Sequence, residues 1–294
     1  MRTRSMRRSG ALAATALSAL LVLAACGDDD GGDAAEEPTA EAEDFPEGST
    51  MARLAEAGSI TVGTKFDQPL FGLVGPDGTP VGFDVEIAKI IASELGISED
   101  NIEWVETVSA NREPFIQDGQ VDIVVATYTI NDERKQLVDF AGPYFIAGQT
   151  IMVLESNNDI NGPDDLAGRR VCSVEGSTPA ENIRTNYPEA ELFPTGAYSD
   201  CLEPLRNGQV DAVTTDNVIL SGFVDQNPGE FKLVGDPFTE EPYGIGLAHG
   251  DTEFRNWIND VLEESFEDGR WAEAWEETAG AVLETPEPPE VDRY

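Results

Sequence analysis

Apolar and polar positions along the chain fall into two alternating kinds of segment. Short β-branched runs at 59–64, 102–106, 121–125, 148–154, 170–174, 212–215, 231–234 and 243–248 have the length and composition of buried strands. Between them, helical patterns cover 83–95, 179–187, 199–207, 216–226, 252–268 and 270–278, with shorter turns through Phe115 and Ile116 and at 163–166. In the first of these helices Ile87, Ile90, Ile91 and Leu95 share a face, and Asp84 is placed to cap the N-terminus. Pro179 suits the first turn of its helix. Trp271 and Trp275, four apart on one face, read as packing residues. Strand and helix in alternation predict an α/β fold on a parallel-type sheet.

One stretch occurs twice. Pro114-Phe115-Ile116-Gln117-Asp118-Gly119-Gln120-Val121-Asp122 reads as a helix end, a glycine stop and the start of a strand. Pro204-Leu205-Arg206-Asn207-Gly208-Gln209-Val210-Asp211 repeats that layout. The first strand runs out into Ala126, Thr127, Tyr128 and Thr129, and the second into Thr214, Thr215 and Asp216. After the first, Asn131 and Asp132 can cap a short helix that carries Arg134. A glycine and two hydroxyls, Gly176, Ser177 and Thr178, precede the helix at 179–187. Donors at strand ends and helix starts suit a small anion. The repeat predicts two lobes of similar topology: 51–145 with 237–283 as the first, and 146–236 as the second, the chain crossing between them twice.

The ends depart from this pattern. Arg2, Arg4, Arg7 and Arg8 precede an apolar stretch, 11–25, too short to span a bilayer as a stable helix, so 1–25 reads as an export leader. It closes on Leu23-Ala24-Ala25-Cys26, which resembles a bacterial lipobox, where the cysteine thiol takes a diacylglycerol and becomes the new N-terminus. Residues 27–50 carry ten acids and no base, and Phe45 is their one bulky apolar side chain; 26–50 is expected to be a solvated tether. The Pro- and Glu-rich residues 284–294 are expected to lack fixed structure.

Charge narrows the partners. The 294 residues carry a formal charge of −39; removing the four leader arginines from 18 basic residues leaves 14 against 57 acids, a net of −43. Such a surface repels nucleic acid and anionic lipid headgroups, so contact with a membrane is expected through the lipid alone. Cys172 and Cys201 remain in the body, and outside the cytoplasm they are expected to be bonded, closing a ring of about 30 residues worth roughly 3 kcal/mol. His249 is the lone histidine and no CxxC pair exists, so neither metal nor cofactor is expected.

Phe83-Asp84-Val85-Glu86-Ile87-Ala88, the stretch 119–144 with its Val138-Asp139-Phe140-Ala141-Gly142-Pro143-Tyr144 ending, and Gly176-Ser177-Thr178 together resemble the family 3 solute-binding proteins, the polar amino-acid receptors of ABC importers. The resemblance covers nearly all of the body, from residue 60 to residue 278. Lys65-Phe66-Asp67-Gln68-Pro69, Ser109-Ala110-Asn111-Arg112 and the cysteine pair look most like actinobacterial-type glutamate-binding lipoproteins. The resemblance implies a two-lobed periplasmic binding protein-like (type II) fold, with two crossover strands as the hinge of a clamp. It places Arg134 on the ligand α-carboxylate, completed by the backbone N–H groups of Thr129, Ser177 and Thr178. Asp216, the Thr127 carbonyl and the Thr129 hydroxyl would hold the α-ammonium. At the side-chain end it places Lys65, Gln68, Ser109 and Arg112, with Tyr198 from the second lobe.

Elementary chemistry agrees with those assignments. A clamp that excludes water must pair every charge it buries; an arginine fork matches a carboxylate, and Asp is the acceptor for an ammonium. The expected function is thus a lipid-anchored, monomeric receptor on the outer face of the membrane. It would bind glutamate, with aspartate as a weaker ligand, and hand it to an ABC permease with a cytoplasmic ATPase. Glutamine binding, or sensing for a membrane signalling partner, are the alternatives. Catalysis is not expected, because the chain has no Ser/His/Asp set, metal cluster or phosphate loop.

Overall fold

The structure, a computed structural model, describes residues 45–294. The expectations for the leader, for Cys26 and for the tether as far as residue 44 lie outside the described residues. From Phe45 onward the expected tether is built into the body. Phe45 packs edge-on against Trp257, Ser49 caps a helix at Thr50–Ala57 by accepting from the Ala52 amide at 3.1 Å, and Met51 and Leu54 are buried.

Two five-stranded sheets carry the two lobes. The first has the order Ile102–Glu106, Ile60–Thr64, Ile123–Val124, Glu241–Leu247, Asp139–Ala147. The second has the order Glu191–Thr195, Arg170–Val174, Ala212–Asp216, Gln149–Leu154, Phe231–Val234. In each, the first three strands are parallel and the last two run antiparallel to their neighbours. The parallel-type sheet expected from the alternation is thus corrected to a mixed one. Its antiparallel strands include those by which the chain leaves the first lobe, Asp139–Ala147, and returns to it, Glu241–Leu247.

The sequence repeat explains why the sheets match. Gly119 and Gly208 both end their helices with positive φ, 66° and 67°. Each following aspartate then seals the central strand to its parallel neighbour. The Asp122 carboxylate accepts from the Thr61 amide at 2.9 Å, and Asp211 accepts from the Arg170 amide at 2.9 Å. Each is also paired with an arginine, Arg53 for Asp122 and Arg170 for Asp211, both at 2.8 Å.

The core of the first lobe is aromatic. Phe83 meets Trp275 edge-on at 5.0 Å, Phe145 stacks on Trp275 at 4.9 Å, and Trp271 donates to the Tyr144 carbonyl at 2.9 Å. In the second lobe a disulfide joins Cys172 to Cys201, with 5.8 Å between their Cα atoms. Two local expectations are corrected. Asp84 does not cap the helix Phe83–Glu94; Gly82 holds that position, and the Asp84 side chain is buried instead against the Thr127 amide and the Tyr144 hydroxyl. Residues 284–294 form no helix or strand, yet they are held against the first lobe. Asp292 donates its amide to the Gly142 carbonyl, Lys135 pairs with Asp292, and the Phe140 amide donates to the Tyr294 hydroxyl at 2.9 Å. These contacts cover the edge of the outermost strand, which explains why a segment with almost no apolar residues takes a fixed path.

Candidate functional site

The two central strands end facing one another, and the loops at their ends line a small, tight cavity. Ser109, Arg112, Thr127 and Thr129 line it from the first lobe, and Ser177, Thr178, Tyr198 and Asp216 from the second. Lys65, Gln68 and Arg134 join through hydrogen bonds: Lys65 Nζ to Ser109 Oγ at 2.9 Å, Thr127 Oγ1 to Gln68 Oε1 at 3.0 Å, and Arg134 Nη1 to the Thr129 carbonyl at 2.6 Å. Every residue singled out in the sequence for the ligand therefore comes to one place.

Local structure sets each side chain. Thr127 has φ of +43°, a left-handed conformation that a β-branched residue adopts only under constraint. Asp84 supplies that constraint by accepting from the Thr127 amide at 2.8 Å, and Arg112 Nη1 does so by donating to the carbonyls of Ala126 and Thr127, both at 3.2 Å. Arg134 starts a short 3₁₀ turn whose amide is capped by Asn131 Oδ1 at 2.9 Å, as expected for that turn. Ser177 caps the helix Thr178–Asn186 by accepting from the Ala180 amide at 3.1 Å. At Gly176, with φ of +78°, a Cβ would lie 2.7 Å from Ala110 Cα, so the glycine is what lets the lobes close to backbone contact. Its carbonyl accepts from both Arg134 and Arg112, at 3.0 and 3.4 Å.

Two expected ligand contacts already have protein partners. The Ser177 amide is already donated to the Val174 carbonyl at 3.2 Å, because Ser177 closes the turn before its helix. The Thr127 carbonyl accepts from Arg112, which leaves it one lone pair for an ammonium. No protein acceptor lies on the amides of Thr129 and Thr178 among the described residues.

The electrostatics are unusual for so small a space. Lys65, Arg112 and Arg134 are all buried, at 3%, 2% and 7% exposure. Arg134 pairs with Glu113 at 3.1 Å, whereas Lys65 and Arg112 have no carboxylate within ion-pair distance among the described residues. Burial, and then the Arg112 charge, hold the Lys65 ammonium well below its usual pKa. Burial and the same neighbour lower Arg134 to about 10. Across the cavity, burial and the charge of Glu241 push Asp216 up to about 8, against the hydrogen bond it accepts from Tyr243 at 2.5 Å. Burial pushes Asp84 up to about 7, opposed by its bonds to Tyr144 and Thr127. Asp216 Oδ1 and Gln68 Nε2 are buried with no hydrogen-bond partner among the described residues. The site thus presents an unpartnered acceptor at Asp216 and, from the first lobe, buried cations at Lys65 and Arg112 with no ion-pair partner among the described residues. A small zwitterion carries groups of both kinds.

Asp84, Glu113, Glu241 and Tyr243 belong to this site and were not singled out for it in the sequence. Glu241 is buried and accepts from Thr178 Oγ1 at 2.6 Å, tying the returning strand to the second lobe. The one available signal was Asp84 and its place in the Phe83–Ala88 motif.

Comparison with known proteins agrees with the fold. The family model for bacterial extracellular solute-binding proteins, family 3, matches residues 60–279. Glutamate-binding protein GluB of Corynebacterium efficiens is 40% identical over 94% of this chain and 92% of its own length. The ABC transporter glutamine-binding protein GlnH of Bacillus subtilis is 38% identical over 92% of this chain and 96% of its own. Among solved structures, an ancestral arginine-binding protein bound to glutamine superposes with a TM-score of 0.71 at 37% identity, over 75% of this chain and 97% of that one. With the match spanning both lobes and the closed cavity between them, the chain belongs to the bacterial extracellular solute-binding proteins of family 3.

Proposed function

We propose that the protein is a monomeric receptor, tethered outside the cell by a lipid on Cys26, that binds L-glutamate and delivers it to the membrane subunits of an ABC importer. Aspartate is a weaker ligand. The observation that carries the choice of ligand is the pair of buried cations, Lys65 and Arg112, with no carboxylate within ion-pair distance among the described residues. Arg134 and the free amides of Thr129 and Thr178 take the α-carboxylate, and Asp216 takes the α-ammonium. Lys65, Arg112 and the Gln68 amide take the side-chain carboxylate, with Ser109 and Tyr198 closing that end. The lobes, 51–145 with 237–283 and 146–236, close on the ligand about the two crossover strands. The identity to GluB supports this ligand, and the name of the Bacillus subtilis relative supports the transporter.

Glutamine is the second reading. It is favoured by the relatives that bind it and by the four backbone carbonyls, those of Ser109, Ala126, Thr127 and Gly176, that already occupy Arg112. A thermal-shift panel of polar amino acids separates the readings: glutamate is expected to raise the melting temperature most. A larger rise with glutamine or with a cationic amino acid rejects the assignment. For the tether, Cys26→Ser is expected to move the protein out of the detergent phase on partitioning, and retention there rejects the lipid.

A further inference from the structure

The two arginines of the site both pack over one aromatic ring. Arg112 Cζ lies 4.3 Å from the centroid of the Tyr128 ring, and Arg134 Cζ lies 5.1 Å from the same centroid. The ring is fully buried and is held edge-on by Phe140 at 4.7 Å, within a cluster that includes Ile116 and Val124. Its backbone is fixed as well, because the Tyr128 carbonyl accepts from the Gly244 amide of the returning strand at 2.9 Å. Room for the ring is made by Gly246, where a Cβ would lie 2.8 Å from Tyr128 Cε1.

Two guanidinium groups this close repel one another. Without a ligand, the acceptor they have in common is the Gly176 carbonyl, which cannot fix two planes. The electron-rich face of an aromatic ring attracts both cations and limits their tilt. Glu113 binds Arg134 at Nε and so directs Nη1 and Nη2 into the cleft.

We propose that Tyr128 is a positioning residue for ligand selection: its ring holds Arg112 and Arg134 at the separation that the two carboxylates of an acidic amino acid require. This rests on the reading that Arg134 takes the α-carboxylate and Arg112 the far one. Tyr128 touches the arginines and not the ligand, so its effect appears in the discrimination between ligands.

The test is titration of the full chain and of Tyr128→Phe and Tyr128→Leu with glutamate and glutamine, with melting curves for each. Tyr128→Phe keeps the face and is expected to keep the native ratio of affinities. Tyr128→Leu is expected to lose roughly ten-fold in glutamate affinity and less for glutamine, so the ratio falls. A native ratio in Tyr128→Leu overturns the proposal, and so does an equal loss for both ligands with a lower melting temperature, which marks the ring as core packing alone. An unmutated protein that does not prefer glutamate rejects the ligand reading and this proposal with it; a native preference that survives in Tyr128→Leu rejects the platform alone. Should Tyr128→Leu not fold, Gly246→Ala displaces the ring without removing it. The same fall in the ratio is expected there, and an unchanged ratio overturns the proposal.

Discussion

Replacing Asp216 by asparagine keeps the shape of the second-lobe wall and removes its charge. In the ligand-free chain that charge is opposed. Burial and Glu241 raise the Asp216 pKa from 3.8 to about 8, a shift worth roughly 6 kcal/mol against the ionised form. An ammonium beside Oδ1 reverses the balance, and removing one partner of such a buried pair costs about 2–5 kcal/mol. Asp216→Asn is therefore expected to weaken glutamate by about 30-fold to several thousand-fold. The loss is expected to be specific to the amino group. Glutarate, which has both carboxylates and no ammonium, is expected to bind the unmutated protein far more weakly than glutamate, and the variant is expected to bind the two alike. Stability moves the other way. A carboxylate held above its unfolded pKa stabilises the fold fully below pH 3.8, and that stabilisation is lost as pH rises to about 8. The ligand-free variant is thus expected to melt no lower than the native protein at pH 8, and its melting temperature is expected to depend less on pH. Titration calorimetry with both ligands, and melting curves from pH 4 to 9, read out each part. Near-native glutamate affinity with an intact preference over glutarate would refute the ammonium assignment.

Three further outcomes are expected. If Arg134 takes the α-carboxylate as proposed, calorimetry of Arg134→Ala should find glutamate and glutamine weakened alike, by about 2–5 kcal/mol; a loss confined to glutamate would move Arg134 to the side-chain end. Lys65→Met is expected to weaken glutamate about ten-fold or more and spare glutamine, so a matched loss for both ligands would make Lys65 a residue of the fold only. Reducing the Cys172–Cys201 bond should destabilise the protein by roughly 3 kcal/mol, and an unchanged melting curve would mean that the ring adds nothing.

How much of this was legible depended on distance along the chain. The repeated Gly-Gln-Val-Asp marked the central strand of each lobe because glycine, helix end and strand are neighbours in sequence. The same holds for Asn131 beside Arg134 and for Ser177 beside its helix. Glu191–Thr195 was not legible as a strand, since Pro194 argues against one; it lies at a sheet edge, where proline is tolerated. The role of Asp84 was hidden because its partners Thr127 and Tyr144 are 43 and 60 residues away. Its position before a helical run suggested a cap, whereas the tertiary contact decides. Tyr128 looked like one more residue of a strand end, and its place against two arginines exists only once the first lobe is folded. The fixed path of the tail was hidden for a related reason. Its composition promises no core, and what fixes it is the unpaired edge of the strand Asp139–Ala147.

The central claim is that unmatched positive charge at Lys65 and Arg112 selects an acidic side chain. The most direct test is the ratio of the dissociation constants for glutamate and glutamine in the unmutated protein, measured by titration calorimetry at neutral pH. The two ligands share a shape and differ in the charge at the far end, so the ratio isolates that charge. Glutamate is predicted to bind at least about ten-fold more tightly, the equivalent of about 1.4 kcal/mol. Glutamine binding as tightly or more tightly would contradict the account and leave Arg112 as a structural donor to the carbonyls it already holds.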